Sequence, residues 1–121
     1  MDATDQALRK FRKELNGGTV SLVLLAIMDR SDEPLYGYQI AKRLEGASTD
    51  SAPMKQGTLY PVLRSMEENG LLASRVEPSV AGPPRKYYTI TAHGRTVLGE
   101  WRKAWSQTRD FVDATLEGNV G

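Results

Sequence analysis

The hydrophobic period of this 121-residue chain changes along its length, and that change constrains the fold more than any other feature. Gly37, Ile40, Ala41 and Leu44 fall at i, i+3, i+4 and i+7, one face of a short helix whose other face shows Gln39, Lys42 and Arg43. Gly46 is predicted to end it, and Gly46 to Pro53 reads as a loop of small and polar residues. Leu59, Val62, Leu63 and Met66 then repeat the helical spacing. Pro61 is tolerable only in a first turn, which places the start of this helix near Gln56 to Thr58. Asn69-Gly70 closes it, with Gly70 placed to take a left-handed conformation. From Leu72 to Glu77 the pattern becomes alternating, with Leu72, Ser74 and Val76 on one side and Ala73, Arg75 and Glu77 on the other. Arg85 to Ile90 is rich in residues that favour strands. Pro78 to Pro84 lies between the two, a hairpin tip too long for a tight turn.

The flanks are helical. Leu8, Phe11 and Leu15 give residues 4–15 a weak amphipathic character with a basic face of Arg9, Lys10, Arg12 and Lys13. Asn16-Gly17-Gly18 is expected to stop that helix, and Thr19 to cap a second one from Val20 to about Arg30. The second segment is apolar nearly all round and implies burial. A buried strand is the rival reading, and the cap and length favour a helix. After Ile90, Thr91 can cap a last helix from Ala92 to about Leu116. In it Leu98, Trp101, Trp105, Thr108, Val112 and Thr115 recur at spacings of three and four, a heptad seam. Such a helix is about 37 Å long at 1.5 Å per residue.

Composition excludes several functions. The chain has no Cys, hence no disulfide, thiolate metal site or Cys nucleophile, and His93 is its one His. A catalytic or zinc site has little to be built from, so no cofactor, metal or enzymatic activity is expected. The longest apolar run, Val20 to Met28, is too short to cross a bilayer. The opening Met-Asp-Ala-Thr-Asp lacks a basic-then-apolar signal pattern, so a cytoplasmic location is expected. Net charge is +1, yet its distribution is uneven. From Ser51 to Ile90, Lys55, Arg64, Arg75, Arg85 and Lys86 face Glu67, Glu68 and Glu77, a net of +2.

The order of these elements, short helices, a hairpin and a long helix, predicts a mainly α fold with a small β-hairpin: a winged helix-turn-helix with a long C-terminal dimerisation helix. Residues 1–18 would be an N-terminal helix or arm, 19–91 the DNA-binding domain and 92–121 the dimerisation helix. In such a fold the second helix of the pair enters the major groove of double-stranded DNA. Its face away from the apolar stripe carries Lys55, Gln56, Thr58, Tyr60, Arg64 and Ser65. Hydroxyl and cationic groups near a helix start suit phosphate oxygens. Gln56 and Arg64 are long enough for bidentate contacts with a base edge, and Arg85 and Lys86 of the hairpin would clamp the backbone.

Three blocks in order make the likeness specific. Leu35-Tyr36-Gly37-Tyr38-Gln39-Ile40-Ala41-Lys42-Arg43-Leu44 resembles the second-helix signature of the PadR family of transcriptional regulators. Gly57-Thr58-Leu59-Tyr60-Pro61-Val62-Leu63, continuing to Leu71, resembles its recognition-helix block. Gly82-Pro83-Pro84-Arg85-Lys86-Tyr87-Tyr88-Thr89-Ile90-Thr91, with Gly94 following, resembles its wing. The likeness spans about residues 17–100. It implies a dimeric, ligand-responsive repressor of the short subfamily with a single C-terminal helix, acting on a palindromic operator. It places DNA contacts on Tyr38, Lys42, Thr58, Tyr60, Arg64, Arg85 and Lys86. In some short members a tryptophan of the last helix faces its mate and stacks on planar drugs, and Trp105 aligns with it. An acidic residue one turn later helps bind cations there, whereas here Arg109 stands in that place.

Leu98, Trp101, Trp105, Thr108 and Val112 are thus expected at a homodimer interface, a planar aromatic effector at that interface, or both. His93 is expected to be exposed in the first turn of the last helix. Two alternatives differ in class: a winged-helix module for protein–protein contact, and a MarR-like regulator. The MarR family normally dimerises through helices at both ends and lacks the Gly-Tyr and Gly-Thr-Leu-Tyr-Pro blocks.

Overall fold

Asp2 opens the first helix by accepting a hydrogen bond from the Asp5 backbone N–H at 2.8 Å. The computed structural model describes residues 2–47 and 56–118. In it α1 runs unbroken over Ala3–Arg30, 28 residues, or about 42 Å. The stop expected at Asn16-Gly17-Gly18 does not occur. A glycine ends a helix when it turns left-handed, and among the described residues only Gly70 and Gly118 have positive φ. Within a helix each glycine costs only about 1 kcal/mol relative to alanine. Thr19 is not a cap either: its hydroxyl donates back to the Leu15 carbonyl at 3.0 Å. The strand alternative for residues 20–30 falls with it.

Leu24, Leu25 and Met28 of α1 form the floor of the core. Ile40 and Leu44 of α2 (Gly37–Ala47) and Leu59, Leu63 and Met66 of α3 (Gln56–Glu68) pack in the same core. Each fully buried leucine contributes about 2 kcal/mol. Both predicted stripes are therefore the buried faces, with Ala41 and Val62 at their margins. Helix α2 runs one residue past Gly46. The rest of the predicted loop, and Lys55 with it, lies outside the described residues.

Helix α3 starts within the predicted range, but Pro61 falls in its second turn, not the first. The carbonyl it leaves without a helical partner belongs to the first turn, so the loss is one bond at the helix end. The other end closes as the sequence predicts. Gly70 has φ +77°, its N–H reaches the Glu67 carbonyl at 3.0 Å, and the Leu71 N–H reaches Met66 at 2.9 Å. This is the paired bonding of a Schellman motif.

The wing consists of β2 (Leu72–Ser79) and β3 (Gly82–Ile90), joined by a two-residue turn at Val80-Ala81. The predicted long tip is mostly strand. Pro78 is absorbed by a register irregularity between Glu77 and Ser79, where a missing N–H is tolerated. A third strand that the sequence did not reveal, β1 (Leu35–Tyr36), pairs antiparallel with Tyr87 and Tyr88, giving the order β1-β3-β2. Two residues are too few to show a period.

Thr91 caps α4 (Ala92–Leu116), accepting from the Gly94 N–H at 2.9 Å. Its hydroxyl also donates to the Gly70 carbonyl at 2.6 Å, and its backbone N–H to Leu71 at 3.1 Å. Gly94 makes this joint possible, because a Cβ there would sit 2.2 Å from the Leu71 carbonyl oxygen. Arg95 and Arg102 of α4 reach Asp29 of α1 at 3.4 and 3.9 Å.

Candidate nucleic-acid interface

The N-terminus of α2 is held by a half capping box: the Tyr36 N–H donates to Gln39 Oε1 at 3.1 Å. This fixes Tyr36 and Tyr38 on either side of Gly37. Their rings stack with centroids 6.5 Å apart, and Tyr87 of the wing meets Tyr36 edge-on at 5.4 Å. A cation closes each end of the pair. Lys42 Nζ lies 5.7 Å from the Tyr38 centroid, and the Arg85 guanidinium 4.5 Å from that of Tyr36. The row Lys42–Tyr38–Tyr36–Arg85 thus joins α2 to the wing.

Tyr60 brings α3 onto the same surface. A Cβ on Gly37 would stand 2.5 Å from Tyr60 Cε1, so the glycine exists to let that ring lie over the start of α2. Tyr60 remains 42% exposed and Tyr38 51%, so both pack and both stay open to solvent. Arg64 lies one turn beyond Tyr60 on the same face of α3. It is exposed and makes no ion pair or hydrogen bond with another described residue. Thr58 is exposed, and Gln56 is the first residue of α3.

Arg85 and Lys86 part company. Alternation along β3 puts Arg85 on the side of Tyr36 and Tyr87, and Lys86 on the side of Tyr88, which is buried. Lys86 Nζ is 2.8 Å from Glu67 Oε1 and 5.4 Å from the Tyr88 ring. The Lys86 ammonium, and after it the Ser74 hydroxyl, hold the Glu67 carboxyl below the ordinary carboxylate range; Glu67 in turn raises Lys86. Lys42 has a loose exposed partner in Glu45 at 3.9 Å.

The heptad seam of α4 divides. Leu98 is buried in its own core and Trp101 packs half-buried against it, whereas Trp105, Thr108 and Val112 are exposed. Phe111 and Leu116 are exposed beside them, as are Leu8, Phe11 and Leu15 on α1. His93 is exposed, as expected. Among the described residues no three His, Asp or Glu side chains gather as a metal site, and no helix is long and apolar enough to cross a membrane.

Sequence reasoning missed Glu67 and the way Tyr36 and Tyr87 complete the aromatic row. Those contacts join elements far apart in the chain, and no local spacing signals them.

Known proteins share this fold. The chain superposes on a PadR family transcriptional regulator from Eggerthella lenta with a TM-score of 0.83 at 36% identity, covering 97% of this chain and 98% of that one. It is 35% identical over 74 residues to the transcriptional regulator Rv3488 of Mycobacterium tuberculosis, covering 61% and 65% of the two chains. It is 27% identical over 101 residues to the transcriptional regulator YqjI of Escherichia coli, covering 84% of this chain and 46% of that protein. The family model for the PadR-like transcriptional regulators matches residues 24–100, from the core half of α1 to the first turns of α4. With the winged helix and its exposed cationic face in place, the chain belongs to the PadR-like family of transcriptional regulators, a DNA-binding regulator and not an enzyme.

Proposed function

We propose that the chain acts in the cytoplasm as a homodimeric repressor that occupies a palindromic operator and releases it on binding a ligand. The observation that carries the DNA half is the continuous surface running from Arg64 and Tyr60 of α3 across Gly37 to the row Lys42–Tyr38–Tyr36–Arg85. Arg64, with Gln56, reads base edges; Thr58, Tyr38, Tyr60, Lys42 and Arg85 meet phosphates. Lys55 joins the phosphate contacts from the segment before α3.

The homodimer half of the reading is supported by what one protomer leaves uncovered. Trp105, Phe111, Val112 and Leu116 on α4 and Leu8, Phe11 and Leu15 on α1 are all exposed, and clustered exposed apolar side chains mark interaction surfaces. Pairing α4 with its mate covers them and sets two recognition helices about 34 Å apart, one turn of DNA. A planar aromatic effector between the two Trp105 rings would change that spacing.

Selection of operator duplexes from random DNA tests the reading. A palindrome with helical-turn spacing, bound with a log–log salt slope near −5 for about six phosphate contacts by the Lys42, Lys55 and Arg85 cations of two protomers, is expected. Arg64→Ala should weaken binding to the selected duplex at least tenfold with the dimer intact. A protein without salt-dependent DNA affinity refutes the proposal. Trp fluorescence during effector titration tests the ligand step; quenching that leaves DNA affinity unchanged refutes it.

A further inference from the structure

One carboxylate holds both strands of the wing to the recognition helix. Glu67 lies in the last turn of α3. Its Oε1 meets Lys86 of β3, and its Oε2 accepts the Ser74 hydroxyl of β2. Ser74 and Lys86 occupy the same face of the hairpin, since Ser74 pairs with Tyr88 and Val76 with Lys86. The second contact of the lysine, over the Tyr88 ring, lies on that same face. Among the described residues no other ion pair links α3 to the wing.

We infer that Glu67 is a positioning residue that sets the angle between recognition helix and wing, and that Lys86 is bound up in this clamp and does not touch phosphate. The inference rests on the DNA-binding reading above and deepens it. Recognition helix and wing meet neighbouring grooves, so their relative angle selects the groove width and DNA shape that both can engage at once. A clamp of this kind governs specificity while adding nothing to the phosphate count. On the other face of the hairpin Arg75 is paired with Glu77 at 2.7 Å, which leaves Arg85 as the wing cation, among the described residues, with no carboxylate partner to give up on meeting phosphate.

The two roles for Lys86 separate in the salt dependence. A phosphate contact adds about 0.9 to the log–log slope, so a Lys86 contact in each protomer of a dimer makes about 1.8. We would measure binding of wild-type protein, Lys86→Met, Glu67→Gln and the charge reversal Glu67→Lys with Lys86→Glu. The probes are the duplex selected from random DNA and a scrambled duplex of equal length. In Lys86→Met the slope is expected to stay within about 0.3 of wild type. The affinity ratio between the two duplexes is expected to fall about fivefold in both single variants and to return to within about twofold of wild type in the charge reversal. A slope flattened by about 1.8 in Lys86→Met makes the lysine a phosphate contact and overturns the inference. So does an unchanged ratio in the single variants, or a ratio that charge reversal leaves low. Circular dichroism checks that each variant is folded, and Glu67→Gln keeps the Ser74 hydrogen bond where Lys86→Met alters packing. If wild-type protein shows no salt-dependent binding to either duplex, the regulator reading falls and takes this inference with it; the other outcomes bear on the clamp alone.

Discussion

Replacing Gly94 by alanine should destabilise the fold even though alanine is the better helix former. A Cβ at this position would lie 2.2 Å from the Leu71 carbonyl oxygen and 2.8 Å from Ile90 Cγ1. The oxygen is backbone, anchored by the Schellman turn of α3, so it cannot swing aside as a side-chain tip would. The first turn of α4 must retreat by about 1 Å to restore normal contact, a strain of about 1–3 kcal/mol. The retreat also weakens the Thr91 N–H bond to Leu71 at 3.1 Å and the hydroxyl bond to Gly70 at 2.6 Å, worth about 1 kcal/mol each. Helix propensity returns about 1 kcal/mol. The net loss is about 2–3 kcal/mol, a fall of roughly 8–12 °C in melting temperature for a chain of this size. Gly99→Ala is the control in the same helix. A Cβ there meets nothing within 4 Å, so the variant keeps the propensity gain of about 0.5–1 kcal/mol without the overlap. Thermal unfolding followed by circular dichroism at one fixed protein concentration compares the two. If Gly94→Ala melts at or above the wild-type temperature, the close approach is not what the glycine is for.

Three further outcomes follow from the geometry. Gly17→Ala with Gly18→Ala fills open space inside α1, and urea unfolding should show a gain of about 1–2 kcal/mol; a loss would mean that the helix does break at this pair. Gly37→Ala drives a Cβ to 2.5 Å from the Tyr60 ring. Because that ring is half exposed and can swing, stability should fall by less than about 1 kcal/mol while affinity for the selected duplex drops severalfold; unchanged DNA affinity removes Tyr60 from the interface. The Lys86–Glu67 bridge should be indifferent to pH through neutrality. A depressed carboxylate stabilises above its unfolded value and loses that effect as pH falls through its folded one, beneath the ordinary carboxylate range. A raised lysine stabilises below its unfolded value and loses it as pH rises through its folded one, above the ordinary lysine range. Both groups are partly exposed, so the contribution is at most about 1 kcal/mol. The stability difference between wild type and Lys86→Met should be flat from about pH 5 to 10; decay between pH 6 and 8 contradicts the assignment.

The recognition elements were legible because their information is local. Ile40, Leu44, Leu59, Leu63 and Met66 announce two helices by spacing alone, and each is buried as the spacing requires. Gly70 and Thr91 declare their conformations from sequence position, and both adopt them. The misreadings have a common cause. At Asn16-Gly17-Gly18 local preference favours a break, yet continuing the helix costs only about 1 kcal/mol per glycine. Pro78 to Pro84 reads as loop because prolines avoid ladders. Here Pro83 and Pro84 precede the two β3 residues that β1 pairs with, and Pro78 falls in the bulge. Of the candidate site, the sequence singles out Tyr38, Tyr60, Arg64 and Arg85, and the structure leaves all four exposed. Their order in space was not readable, because it depends on Tyr36 reaching Tyr87 and on Gly37 admitting Tyr60.

The stacked row between α2 and the wing has a thermodynamic consequence. Lys42 and Arg85 are held over aromatic faces before any anion arrives, whereas Arg64 has no described partner. Immobilising a long side chain on binding costs about 0.5–1.5 kcal/mol in rotamer entropy. Under the DNA-binding proposal, the row has met part of that cost in folding, so an incoming phosphate finds these two cations already partly ordered. Arg64 must still be ordered at the moment of contact. Affinity drawn from the row is therefore indifferent to which sequence is offered, while affinity drawn from Arg64 is gained only where the base edge repays its loss of freedom. On that proposal, a partly fixed frame with one mobile reader would make wrong sites release quickly.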